Sequence, residues 1–95
     1  MSDESIQVQR GDQFEVVLRE PPATGHRWRV AGLPSELTVI DERYEAPQPG
    51  GPLGSAGRRV VTLRANDPGR HRLKFELARA DEAPADEHFV DVEAS

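Results

Sequence analysis

The side chains that could act as nucleophiles, bases or metal ligands are scattered through this 95-residue sequence. It contains no Cys, which excludes a thiolate nucleophile, a disulfide framework and a thiolate metal site. The serines lie outside any nucleophile-elbow pattern, no glycine-rich loop leads into a helical segment, and the histidines show no ligand spacing. We therefore expect neither an enzyme nor a cofactor from Ser5, Ser35, Ser55, Ser95, His26, His71 and His88.

Carboxylates cluster near the C-terminus, where a cation could in principle bind. The cluster consists of Asp81, Glu82, Asp86 and Glu87. Two interpretations are open, a solvated acidic hairpin and a Ca²⁺ site. Because the spacing lacks the ligand rhythm of a calcium loop, the solvated hairpin is favoured and we expect no metal.

The charge balance excludes two further classes of partner. The chain has 12 Lys and Arg against 17 Asp and Glu, a net charge of -5. Phosphate contacts need clustered Lys and Arg, so we expect no nucleic-acid partner. Apolar stretches are only a few residues long, and residues 1–5 have neither a basic start nor an apolar signal core. We expect no membrane segment and a cytoplasmic monomer, although a trimmed exported form would have the same sequence.

Short strands must carry these residues, because the apolar side chains alternate with polar ones at a period of two. Leu73, Phe75 and Leu77 give the clearest example, and a last segment around Phe89 and Val90 leaves the register ambiguous. No window of helical length has an apolar stripe. The other alternating sets are Ile6 and Val8; Phe14, Val16 and Leu18; Trp28 and Val30; Leu37 and Val39; and Val61 and Leu63.

About seven short strands separated by turns indicate an all-β fold, a single immunoglobulin-like antiparallel β-sandwich over residues 1–95. Without a disulfide, its core must depend on Trp28, Phe14, Phe75, Leu73 and the aliphatic residues around them. Residues 46–57 are rich in Pro and Gly and form either a flexible surface loop or a binding loop.

One segment between two predicted strands is more specific. It resembles the signature of the chagasin-type inhibitors of papain-like cysteine peptidases, an Asn-Pro-Thr-Thr-Gly loop followed by an aromatic, a variable residue and a core Trp. The order of the remaining parts of the chain is similar too. The matching residues are Pro22, Thr24, Gly25 and Trp28, while Pro21, Ala23 and His26 replace the Asn, the first Thr and the aromatic.

The resemblance implies a sandwich that inhibits reversibly and without covalent chemistry, by laying three loops across the cleft of a papain-like cysteine peptidase. The loops would be 21–25, 49–57 and 79–87, with the Thr-Gly pair at the catalytic centre. In the third loop the family carries Arg-Pro-Trp, of which only the Arg survives. The implied peptidase-binding residues are Pro22, Ala23, Thr24, Gly25, Gly50, Gly51, Gly54, Arg79 and Asp81.

The residue types of the first loop are consistent with this use. Pro22 fixes its own φ and biases Pro21 toward extended geometry, while Gly25 can supply a positive φ. A stiff loop loses little entropy on docking. The alternative is that these residues only turn the chain between strands, and the matching alternative function is an accessory domain that has lost the inhibitory anchors.

Overall fold

The computed structural model describes residues 2–21, 25–47 and 56–95. These residues form seven strands and no helix. The described ranges therefore contain no helix long and apolar enough to cross a bilayer. The strands are β1 (Ser2–Val8), β2 (Gln13–Glu20), β3 (Arg27–Gly32), β4 (Leu37–Glu45), β5 (Gly57–Ala65), β6 (Gly69–Ala78) and β7 (Asp86–Ala94).

The strands form two sheets, which confirms the predicted all-β, immunoglobulin-like sandwich. One sheet has the order β1-β7-β6-β3 and the other the order β2-β5-β4. Every pair is antiparallel except β1 and β7, where Ser2 lies opposite His88 and Val8 opposite Ala94 in parallel register. A parallel pair needs a long connection, and the whole domain between the first and last strands provides it.

The core lies between the sheets and includes the four large residues that the alternating pattern predicted. Trp28 is 7% exposed and Phe14 8%, while Leu73 and Phe75 are fully buried. The core has contributions from both sheets, because β2 supplies Phe14 and β6 supplies Leu73 and Phe75. Each side chain of this size stabilises the fold by roughly 1.5–3 kcal/mol when it is fully buried.

The ambiguous register of the last strand is settled by β7. Val90 and Val92 are buried in the core, so Phe89 points to the outer face of its sheet. There the Arg72 guanidinium lies 4.3 Å from the centroid of the Phe89 ring. A cation over the ring covers an aromatic side chain that would otherwise face water.

One residue on the outer face of the smaller sheet, Val60, is also buried. Val60 is 2% exposed but alternates with the core residues of β5, and it lies directly opposite Val17 and Arg43 on the neighbouring strands. Arg43 reaches across to Glu15 at 3.5 Å and also pairs with Glu45 at 3.2 Å. Its aliphatic stem can therefore shield Val60 while the charged head stays in water.

Candidate functional site

Three connections leave the sandwich at one end. β2 ends at Glu20 opposite Gly57, where β5 begins, and β3 begins at Arg27 opposite Ala78, where β6 ends. The connections after β2, β4 and β6 therefore start close together, and we call this part of the molecule the loop end. For the residues that the structure describes, this confirms the predicted arrangement of the three loops.

A buried carboxylate lies at the base of the first connection. Glu20, the last residue of β2, is 3% exposed. Its Oε1 accepts a hydrogen bond from the backbone N–H of Trp28 at 2.7 Å and another from Nε of Arg59 at 3.1 Å. Its Oε2 accepts a third from Nη2 of Arg59 at 2.9 Å. A carboxylate tolerates burial when it is paired and hydrogen-bonded in this way.

Trp28 makes a second bond across the same connection. Its indole Nε1 donates to the backbone carbonyl of Arg19 at 2.7 Å. The indole ring also packs edge-on against the His88 ring, with the ring centroids 6.4 Å apart. Trp28 is therefore a core residue, as predicted. It also connects the start of β3 to Arg19 and Glu20, the last two residues of β2.

Arg59 extends these contacts toward the second connection. The hydrogen bond to Glu20 raises the pKa of Arg59 above its ordinary value, and the Arg59 side chain is only 15% exposed. The guanidinium lies 5.5 Å from the centroid of the Tyr44 ring. The Tyr44 hydroxyl occupies the space that a Cβ on Gly57 would need. The bases of the first and second connections thus share one cluster of contacts.

The first and third connections touch through Gly25 and Arg79. Gly25 has a φ of +77°, in the left-handed region, as predicted for this position. A Cβ added there would lie 3.2 Å from Cδ of Arg79, the residue that follows β6. A Cβ at position 25 would press on the Arg79 side chain, so this geometry places the surviving Arg of the third loop beside the first loop.

The third connection begins with a tight turn. The backbone N–H of Glu82 donates to the Arg79 carbonyl at 3.0 Å, and Ala80 between them has a φ of +48°. Proline is fixed near a φ of about -65°, so the family's Arg-Pro-Trp could not follow this backbone. Asp81 is exposed where that pattern has Trp. The difference from the pattern that the resemblance implies therefore involves the backbone at Ala80 as well as the side chain at Asp81.

The predicted acidic hairpin is partly neutralised. Glu82 pairs with Arg79 at 3.0 Å, and Glu87 lies 3.7 Å from Nζ of Lys74. Nowhere in the described ranges do three His, Asp or Glu side chains gather in a group that could hold a metal ion. The structure thus gives no support to the Ca²⁺ interpretation of this cluster.

Of the implied binding residues, the structure brings Gly25, Arg79 and Asp81 to the loop end. Pro22, Ala23, Thr24, Gly50, Gly51 and Gly54 lie outside the described residues.

Sequence reasoning missed Glu20 and Arg59. The signal for Glu20 was present, because it occupies the next inward position after Phe14, Val16 and Leu18 in the period-two pattern. A charged residue at an inward position predicts a buried partner of opposite charge. The position of that partner depends on how β2 and β5 pair, which the local pattern does not show.

Solved structures share this fold across nearly the whole chain. The Entamoeba histolytica cysteine protease inhibitor EhICP2 is 18% identical with a TM-score of 0.74, covering 99% of this chain and 96% of its own. Leishmania mexicana ICP is 23% identical with a TM-score of 0.69, covering 100% and 90%. PbICP-C, solved in complex with falcipain-2, is 15% identical with a TM-score of 0.71, covering 98% and 89%. At these identities the likeness establishes the fold.

Family assignment comes from the sequence itself. No curated protein sequence matches the chain significantly. Residues 7–93, however, match the family described as "Chagasin family peptidase inhibitor I42". This match spans every strand from the end of β1 almost to the end of β7. The chain therefore belongs to the chagasin family of peptidase inhibitors.

Proposed function

We propose that this protein is a reversible, non-covalent inhibitor of papain-like cysteine peptidases and presents its loop end to the peptidase cleft. Family membership supports inhibition, and the similar folds of EhICP2, a cysteine protease inhibitor, and of PbICP-C, solved with falcipain-2, support the target class. The observation that carries the proposal is the contact of Gly25 with Arg79, which joins the first and third loops. Loops joined before binding lose less conformational entropy on docking.

In this proposal the first loop enters at the catalytic thiol, with Thr24 and Gly25 nearest to it. The second and third loops contact the cleft on either side. The protein acts by binding and not as an enzyme, and we place it in the cytoplasm, which the lack of Cys fits. The proposed contact residues are Pro22, Ala23, Thr24, Gly25, Gly50, Gly51, Gly54, Arg79 and Asp81.

A fluorogenic assay against a panel of papain-like peptidases tests the proposal. We expect inhibition of at least one peptidase that is reversed by dilution, with the inhibitor recovered at full length by mass spectrometry. A chain cleaved in step with the loss of inhibition would identify a substrate instead. No inhibition across the panel would contradict the proposed function.

An accessory domain that binds without inhibiting is the second candidate. The third loop favours it, because Asp81 offers no large apolar anchor and the φ of Ala80 excludes the family's Pro. Binding measured with a peptidase whose thiol is blocked separates the two functions. Binding without inhibition of the active enzyme would support the accessory domain.

A further inference from the structure

We propose that Glu20 and Arg59 are positioning residues that hold the two ends of the first loop, at Glu20 and Trp28, in the arrangement that binds. The inference rests on the proposed function, because it assigns a role within the same loop end. Glu20 and Arg59 are themselves buried or nearly buried, with side chains 4% and 15% exposed. They act through the backbone that they hold.

The first reason is that Glu20 connects both ends of the first loop. It is the last residue of β2, and it accepts a hydrogen bond from the Trp28 backbone N–H at 2.7 Å, just after β3 begins. The Trp28 indole donates back to Arg19 at 2.7 Å. The two bonds run in opposite directions across the connection, so the separation and direction of its two ends are fixed together.

The second reason is the choice of a buried charge at this position. An apolar residue at position 20 would continue the inward pattern of β2 without the cost of burying a carboxylate. A carboxylate does what an apolar residue cannot, since it accepts bonds from the Trp28 backbone and from Arg59 at once. Arg59 lies on β5, so it fixes the Glu20 side chain from the neighbouring strand.

The third reason comes from a comparison with another Arg–Glu pair, which is exposed to solvent instead of buried. Arg70 and Glu93 pair at 2.6 Å at the opposite end of the sandwich, with side chains 75% and 44% exposed. Surface pairs of that kind contribute little to stability. The buried pair lies at the loop end, where a rigid base has a use. When only a fraction of molecules has the binding shape, the apparent affinity falls by that fraction.

A double variant separates positioning from stability. Glu20→Leu with Arg59→Met removes both charges, and replacing a buried ion pair by apolar residues often leaves stability unchanged or raises it. The Trp28 N–H also loses its acceptor, so we expect a melting temperature at or moderately below that of the wild type and an inhibition constant raised by about 10- to 100-fold. Arg70→Met with Glu93→Leu, at the opposite end, is the matched control and should leave the inhibition constant unchanged.

A second variant keeps the test decisive if the double variant does not fold. Glu20→Gln keeps an oxygen that can accept from the Trp28 N–H. Its amide NH₂ then faces the Arg59 guanidinium, and two donors cannot form a hydrogen bond with each other. We expect a smaller rise in the inhibition constant. Val92→Ala, a core truncation away from the loop end, lowers stability without touching these contacts. If it weakens inhibition as much as Glu20→Gln does, the effect is one of stability and the proposal is wrong.

Amide hydrogen exchange gives a readout that needs no peptidase. In the free protein, we expect the amides of Arg27 and Trp28 to exchange at least about tenfold faster in the double variant than in the wild type. Unchanged exchange overturns the positioning role, whether or not the wild type inhibits. Faster exchange in a protein that inhibits no peptidase supports the positioning role and contradicts the proposed function alone.

Discussion

Gly25 combines two constraints that act on the same residue. Its φ of +77° lies in the left-handed region, and the stem of Arg79 fills the space beside its Cα. A side chain here must strain the backbone and also push the Arg79 side chain aside by a few tenths of an ångström. Gly11 provides a comparison, since it has a φ of +88° but nothing within 4 Å of where its Cβ would be.

We predict that Gly25→Val weakens inhibition by about tenfold or more, because it strains the first loop and crowds the Arg79 side chain next to it. Gly11→Val, in the turn between β1 and β2 at the other end, carries the same left-handed strain of roughly 1–2 kcal/mol. It should lower the melting temperature and leave the inhibition constant unchanged. Equal inhibition constants for the two variants, with both folded, would show that the first loop is not the part that enters the cleft.

The carboxyl group of Glu45, at the end of β4, makes the stability of the fold depend on pH. The hydrogen bond from Arg58, and next that from Arg43, lowers the pKa of Glu45 below its ordinary value of 4.5. The folded state therefore binds a proton at this carboxyl less readily than the unfolded state does. The resulting stabilisation is present above the ordinary pKa and is lost as the pH falls through the lower folded-state pKa.

We predict that Glu45→Gln lowers the melting temperature near pH 7 and that the difference from the wild type shrinks as the pH falls below about 4.5. The side chain is solvent-exposed enough that salt should reduce the difference as well. Melting curves between pH 3 and 7 at two salt concentrations provide the measurement. A difference that stays constant with pH would rule out a contribution from the carboxylate charge.

At the scale of strands, alternation was sufficient to predict the seven elements and the faces that they bury. It could not predict neighbours that lie far apart in sequence, so the parallel pairing of β1 with β7 was unexpected. It also missed the shift in register between Val39 and Asp41. An irregularity of this kind adds one residue to a strand and reverses the faces after it.

The same limit applies to the candidate site. Gly25 was predictable because a positive φ is a local property of a turn with a glycine. The pairing of Glu20 with Arg59 was not, because the two residues are 39 positions apart and meet through the register of β2 with β5. Sequence therefore predicted a candidate binding loop and left out the contacts at its base.

The third loop supplies a prediction at this scale. Asp81 is exposed next to the positive-φ residue Ala80, so Trp can be introduced there without the family's Pro. We expect Asp81→Trp to tighten inhibition by about 1–3 kcal/mol relative to Asp81→Ala, because it adds a large apolar anchor. Inhibition constants at low and high salt would separate this gain from the loss of charge. No gain, together with no salt dependence, would mean that this loop does not touch the target.

For the molecule as a whole, Trp28 links the two sheets. It is part of the core, and its indole bonds to Arg19 in the opposite sheet. We predict that Trp28→Ala costs about 3–5 kcal/mol, a large part of the 5–15 kcal/mol typical of a whole domain. Trp28→Phe, which loses the indole N–H but keeps a ring, should cost less. Urea unfolding followed by circular dichroism is the measurement, since the sequence contains one Trp and the variants have no Trp fluorescence.

The parallel pairing of the first and last strands determines how the protein should respond to force. β1 begins near the loop end and β7 finishes at the opposite end, with Ser95 bonded to Val8 and Arg10. Pulling on the two termini drives these strands past each other, so the load falls on all their hydrogen bonds at once instead of breaking them in turn. In single-molecule stretching, the domain should therefore rupture in one high-force step, and attachment through residue 95 should leave the loop end facing away from the surface.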